Sequence, residues 1–364
     1  MGKKIIKASL YIVGGVLTVL LGILIWLWTI SPGKTDPITG PDGKQLKGSI
    51  SVIEKITLGE QDQYLIIRGD DSTKPVMLFL HGGPGSPEIA FMNHYNRDIE
   101  KDFVMVYWEQ RGAGKSYSKD IPVESMNMAQ FISDTRELSE YLIDRFNQER
   151  IYIMGHSWGS LLGILTAYTH PELFRAYLGI GLACYQFKGE QISYEWIKEQ
   201  AIKHNDTKSK EALDRLSFPD SLAKTDIWID YLINQRKYVN KYGGGATRDI
   251  TGMWPLVKLV FETSEYTIGE KLNFMNGSMF SLRHMWNEVI HTNLLNEIDS
   301  IKIPVYILHG KHDFTTPYSV AKEFYNQLKA PHKEFFSFEN SAHSPVMEEV
   351  EKFNSIVKEI TKKH

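Results

Sequence analysis

Cysteine is almost missing from this chain. Cys184 is the only one among 364 residues, which excludes an internal disulfide, a cysteine-based zinc site and an N-terminal lipoprotein thiol. It lies in an apolar run and reads as a buried, unreactive thiol. An excess of one charge is missing too: 41 basic side chains face 44 acidic ones, and no basic run is long enough to follow a phosphate backbone. Nucleic acid is therefore not an expected partner. Between Ala8 and Ile30 charge is absent altogether. A helix of that length rises about 35 Å and can cross a hydrocarbon core of about 30 Å. Lys3, Lys4 and Lys7 precede it, whereas Lys34, Asp36 and Asp42 mix signs after it, so the positive-inside rule predicts a cytoplasmic N-terminus and an extracytoplasmic domain. Trp26 and Trp28 fall at the outer interface and Tyr11 near the inner one. The competing reading is a cleaved signal peptide, but the apolar run is long for one, and Thr29-Ile30-Ser31-Pro32 carries no A-x-A-like site. The expectation is a single-pass anchor in the cell membrane. Gly14, Thr18 and Gly22 form a small-residue row that lipid tolerates as readily as a helix partner uses it, so the oligomeric state is left open.

What the chain does have, after this segment, is the rhythm of one large α/β core with an insertion. The organisation expected is a tip and anchor over 1–30, a solvated Pro/Gly-rich linker over 31–50, core over 51–186, a helical cap over 187–296, and core again over 297–364. Residues 51–57 and 63–68 read as antiparallel strands. The near-continuous apolar runs at 75–80, 103–108, 151–154, 176–184 and 304–308 read as buried, mostly parallel strands, with a last strand at 334–338. Helical spacing marks 128–146 and 319–328, and an amphipathic helix runs from Pro345 to Ile360. In the insertion Trp196, Trp228, Trp254 and Trp286 stand among charged helical patterns; at least two read as core and one or two as pocket lining.

The stretch that organises the rest is Ile151 to Gly163, in which an apolar strand runs into Gly155-His156-Ser157-Trp158-Gly159 and then into a small, apolar helix. Strand, sharp turn and helix are the setting in which G-x-S-x-G becomes a nucleophile elbow. Behind the strand at 75–80 stands His81-Gly82-Gly83-Pro84-Gly85, whose glycines let backbone N–H groups approach a ligand. The run Gly112-Ala113-Gly114-Lys115-Ser116 imitates a phosphate loop, but the first glycine of that motif is missing. Arg111 reads as a tie between loops. Asp313 follows the strand at 304–308, and His343 follows the last strand. The chain order Ser157, Asp313, His343 is that of an α/β-hydrolase triad. Glu339 and Asp299 compete for the acid, and His156, His309 and His312 for the base. In the expected chemistry His343 takes the Ser157 proton and Asp313 holds the imidazole. The amides of Gly83 and Trp158 stabilise the oxyanion, and no metal or organic cofactor is needed. Serine rather than aspartate at the elbow argues against dehalogenase or epoxide hydrolase chemistry.

HGGPG at 81–85, WEQRG at 108–112, GHSWGS at 155–160, GKHD at 310–313 and Ala342-His343 resemble the proline iminopeptidase family of α/β-hydrolases over roughly residues 50–364. The resemblance implies the triad just given, an oxyanion hole at Gly83 and Trp158, and release of N-terminal residues from small peptides. Two positions depart from it. Glu109 stands where aspartate is common, and the Trp-x-x-Trp-Glu pattern that binds the substrate amine is absent. Glu195, Glu262 and Glu265 are the replacements expected for that amine, since a buried ammonium needs a compensating charge. An esterase or amidase of the same fold is the alternative function, and a catalytically silent membrane module a remote one.

Overall fold

The computed structural model describes residues 2–252 and 254–364, apart from the side chains of residues 2–6 and 8. Lys3 and Lys4 of the topology argument fall in that excepted set. The chain opens with a single long helix, α1 (Gly2–Thr29), whose Ser9–Thr29 portion is long and apolar enough to cross a membrane. Strands β1 (Ile50–Leu58), β2 (Gln61–Gly69) and β3 (Val76–Leu80) follow, then α2 (Ile89–Tyr95), β4 (Val104–Glu109), α3 (Met128–Arg145), β5 (Ile151–His156), α4 (Trp158–Thr169) and β6 (Phe174–Ile180). Six helices separate β6 from the next strand: α5 (Gln186–Lys203), α6 (Thr207–Asp214), α7 (Thr225–Lys241), α8 (Trp254–Glu262), α9 (Ile268–His291) and α10 (Leu294–Glu297). The chain closes with β7 (Val305–Gly310), α11 (Tyr318–Gln327), β8 (Lys333–Phe338), α12 (Pro345–Glu348) and α13 (Val350–Lys363).

The strands form one eight-stranded sheet in the order β1-β2-β4-β3-β5-β6-β7-β8. Only the β1–β2 and β2–β4 pairs are antiparallel; β4 to β8 run parallel. Period-two alternation sends Leu78, Leu80 and Ile153 to one face, where they pack with Phe131 and Leu138 of α3 and Leu161 of α4. Met77, Phe79, Tyr152 and Met154 point to the other, against Ile89 of α2 and Phe353 of α13. Both faces are covered by helices, which is why these strands read as unbroken apolar runs. Trp228 and Trp286 are buried in the first cluster, and Trp196 stacks on Phe314 with ring centroids 3.9 Å apart. Trp254 is exposed.

Three elements differ from the sequence expectations. Strand β6 stops at Ile180 although the apolar run continues to Cys184, because Gly181 at φ +51° turns the chain. Residues 182–184 are then buried as loop, with the Leu182 amide on His309 Nδ1 and the Ala183 amide on Ser160 Oγ. The last helix is broken at Glu349. There Glu348 accepts from the Ala342 amide and Glu349 from the Asn340 amide and the Ser341 hydroxyl, bracing the loop that carries His343. The start of the 31–50 segment is docked rather than solvated. Buried Lys271 donates to the Ile30 carbonyl and the Ser31 hydroxyl, at 2.9 and 3.0 Å. The Lys34 amide donates to the Ser264 carbonyl. Buried Arg68, whose Nε–H is shared between the two Glu100 oxygens, donates through Nη1 to the Asp36 carbonyl at 2.8 Å. Two buried cations that need acceptors hold this strap to the domain.

Candidate active site

Ser157 sits between β5 and α4 at φ +55°, ψ −121°, a conformation that a non-glycine residue adopts only when its surroundings enforce it. The surroundings here are backbone. A Cβ on Gly155 would lie 2.1 Å from the Gly159 carbonyl oxygen, and one on Gly159 2.0 Å from that of Leu80. Only glycine permits the strand and helix to cross this closely, and the Ser157 amide is tied to the Ile180 carbonyl at 2.9 Å.

The 81–85 loop is fixed from behind. The Gln110 amide donates to His81 Nε2 at 3.2 Å, so the remaining ring proton is on Nδ1 and is donated to the Gly82 carbonyl at 2.8 Å. Burial pushes the His81 imidazole down to about 4, consistent with that neutral tautomer. Gln110 also holds the Trp158 indole N–H, at 2.8 Å. Gly83 lies at φ +115° and, with Trp158 and Ser157, lines a cavity of about 310 Å³. Trp158 is the first residue of α4, so its N–H has no acceptor within the helix.

Ser157 and His343 share the wall of a second cavity, of about 240 Å³. Asp313 Oδ2 is 2.8 Å from His343 Nδ1. Its other oxygen accepts from the Thr315 and Thr316 amides at 2.8 and 2.9 Å, and Thr316 Oγ1 lies 2.9 Å from Oδ2. Burial alone would raise the Asp313 carboxyl, but the His343 charge and hydrogen bonds from His309 and His343 outweigh it and hold it far below the usual carboxylate range. Burial, together with the neighbouring His156 and His309, lowers the His343 imidazole and outweighs the pull of Asp313, leaving it below its ordinary value. With Nδ1–H given to the carboxylate, Nε2 keeps its lone pair.

The competing groups are committed elsewhere. His156 Nδ1 faces Glu88 at 2.9 Å and Nε2 faces the His343 carbonyl at 3.0 Å. Both nitrogens therefore donate, which makes His156 an imidazolium with no lone pair to offer. Burial works against that charge, and the adjacent Glu88 outweighs it and raises the group. His309 Nδ1 accepts the Leu182 amide while Nε2 donates to the Thr316 carbonyl. Glu339 pairs with Lys311 at the surface, and Asp299 is exposed. Lys115 of the apparent phosphate loop is spent on Glu270 at 2.8 Å. Arg111 makes a bidentate pair with Asp134 and donates to the Leu58 and Gly59 carbonyls.

The structure does not bring Glu195, Glu262 or Glu265 to Ser157. Glu195 is exposed on α5, and Glu262 is exposed on α8, 3.5 Å from Lys258. Glu265 is fully buried and accepts from the Thr263 hydroxyl. None of them lines either serine cavity. Among the described residues, the only carboxylate that does is Glu88, which also accepts the Gly82 amide at 2.8 Å. Sequence reasoning passed over Glu88, although it lies three residues beyond the glycine loop.

The chain is similar to known proteins over most of its length. The family profile described as "alpha/beta hydrolase fold" matches residues 75–242, and the one described as "Serine aminopeptidase, S33" matches 284–350. A probable aminopeptidase of Bacillus subtilis, YbaC, is 35% identical over 321 residues, covering 87% of this chain and 98% of that protein. A proline iminopeptidase of Lactobacillus acidophilus is 25% identical, covering 83% and 94%. The crystal structure of the proline iminopeptidase of Mycobacterium smegmatis superposes with a TM-score of 0.61 at 17% identity, covering 86% of this chain and 98% of that one, a likeness of fold. This chain therefore belongs to the α/β-hydrolases, in their proline iminopeptidase-like serine aminopeptidase family, and is a serine hydrolase.

Proposed function

We propose that the protein is a membrane-anchored aminopeptidase that releases N-terminal residues through a Ser157–His343–Asp313 acyl-enzyme mechanism. The observation that carries this reading is the His343–Asp313 pair at 2.8 Å, set in the same cavity as a serine held at positive φ. Ser157 Oγ attacks the substrate carbonyl while its proton passes to His343 Nε2; the C–N bond then breaks and the amine leaves with that proton. Water, deprotonated by His343, hydrolyses the ester and restores Ser157. The Gly83 and Trp158 amides face the oxyanion, one such donor being worth about 3 kcal/mol. Helices within 187–296 form the cap over the site. Glu88, the carboxylate in the cavity wall, is shared between the His156 imidazolium and the substrate ammonium.

The reading is tested with prolyl and alanyl anilides whose amine is free or acetylated, beside a short-chain ester. Preference for the free amine is expected. Indifference to acetylation with ester turnover dominant would favour the esterase alternative. The anchor reading rests on α1, charge-free from Ser9 to Thr29, and places the N-terminus in the cytoplasm and the domain outside. Full-length protein is expected to remain with membranes at high salt and alkaline pH; release of a shortened chain would mean a cleaved signal.

A further inference from the structure

A third, drier cavity lies beside the two that hold Ser157. It encloses about 200 Å³ between α8 and α9, with Phe91, Val257, Val260 and Phe274 in its wall. It shares walls with the site: Met275 and Ser278 line both it and the larger serine cavity, and Phe91 and Leu256 both it and the smaller one. Its one charged wall residue, Lys271, is occupied by the carbonyls of Ile30 and Phe261 and the Ser31 hydroxyl. Apart from Ser86 and Ser278, what remains to receive a ligand is apolar.

The two helices that flank it, α8 and α9, also carry exposed apolar side chains. Trp254 is 75% exposed, Leu272 65% and Met275 50%. Such a cluster on a soluble surface marks a contact with something apolar, and its position indicates what. Lys271 grips the Ile30 carbonyl, just past the end of α1, at 2.9 Å. Leu272 is the next residue, and Met275 lies one helical turn, about 6 Å, further along α9. Leu272 and Met275 thus stand beside the end of α1, on the helix that also walls the serine cavity.

We propose that this cavity takes the alkyl chain of a membrane-borne aminoacyl amphiphile, an amide or ester of an amino acid with a single-chain amine or alcohol. Its aminoacyl head enters the Glu88 cavity and is cleaved by Ser157. The tail is on the leaving group, which departs with the proton that His343 took from Ser157, and water then frees the amino acid. This rests on the aminopeptidase and anchor readings and adds the substrate class.

The test uses full-length protein in phosphatidylcholine vesicles with the N-ethyl, N-butyl and N-octyl amides of alanine, and alanyl anilide alongside. Burial of each methylene is worth about fourfold in kcat/KM, so with about four of the added methylenes buried within the cavity's depth a rise on the order of 10²-fold from ethyl to octyl is expected. Val257→Trp, which fills the cavity, is expected to bring the octyl-to-ethyl ratio close to one. Leu272→Asp, at an exposed position, is expected to slow octyl turnover from vesicles at least fivefold. A flat chain-length series with active anilide turnover overturns the proposal. So does a steep series that survives both variants. Loss of anilide turnover in the wild type overturns the aminopeptidase reading beneath it instead.

Discussion

Ser157→Ala is expected to lower kcat on a free-amine anilide by about 10⁶-fold, the scale on which removal of a triad nucleophile acts in serine hydrolases. The effect is expected on turnover and not on folding. The turn is held by the Ser157 amide on Ile180 and by the clash-limited glycines at 155 and 159, none of which involves the hydroxyl. Urea unfolding of the variant should therefore match the wild type. The cavity, Glu88 and the oxyanion donors persist, so substrate binding should remain measurable by inhibition. A variant retaining more than about one part in 10³ of the wild-type rate would indicate a different nucleophile.

Asp313→Asn should cost about 10⁴-fold in kcat, because the amide can no longer hold the tautomer that leaves Nε2 free or stabilise the imidazolium. Its pH dependence separates this role from a structural one. In the wild type, burial sets His343 below its ordinary value near 6.5. Since only the neutral ring accepts the serine proton, kcat/KM should be level above that value and fall as pH drops below it. Asp313 is the group that raises His343. Removing its charge should lower the ring further, and the residual activity should persist to lower pH than in the wild type. An acid limb that moves upward would contradict the assignment.

The site was legible in the sequence where backbone geometry dictates residue type. Gly155 and Gly159 are required by contacts of about 2 Å, and the order of strand ends places Asp313 and His343 after β7 and β8. It was not legible where a group is matched only in three dimensions. Glu195, Glu262 and Glu265 were as plausible as any cap carboxylate, but helix orientation turns the first two to solvent. Glu88 reaches the cavity through the fold of a loop that carries no periodicity. His156 next to the serine has the composition of a base, and only the two acceptors around its ring show that it is an imidazolium. The docked strap at 31–36 uses carbonyl oxygens as acceptors for Lys271 and Arg68, and carbonyls leave no signature in a sequence. The run to Cys184 overstated β6 because a loop buried under helices is as apolar as a strand.

The end of α1, the strap and α9 are mechanically joined, since Lys271 of α9 holds the Ile30 carbonyl while α9 also supplies Met275 and Ser278 to the serine cavity. On the proposed anchoring, the enzyme would meet its substrates at the bilayer surface, where an apolar chain raises their local concentration.

The most direct measurement is peptide mapping of the full-length protein after reaction with a serine-directed fluorophosphonate. A single adduct on the peptide carrying Ser157, suppressed by a free-amine substrate and lost in Ser157→Ala, is the expected result. An adduct on another serine, or none from a protein that still hydrolyses alanyl anilide, would contradict the assignment of Ser157 as the nucleophile.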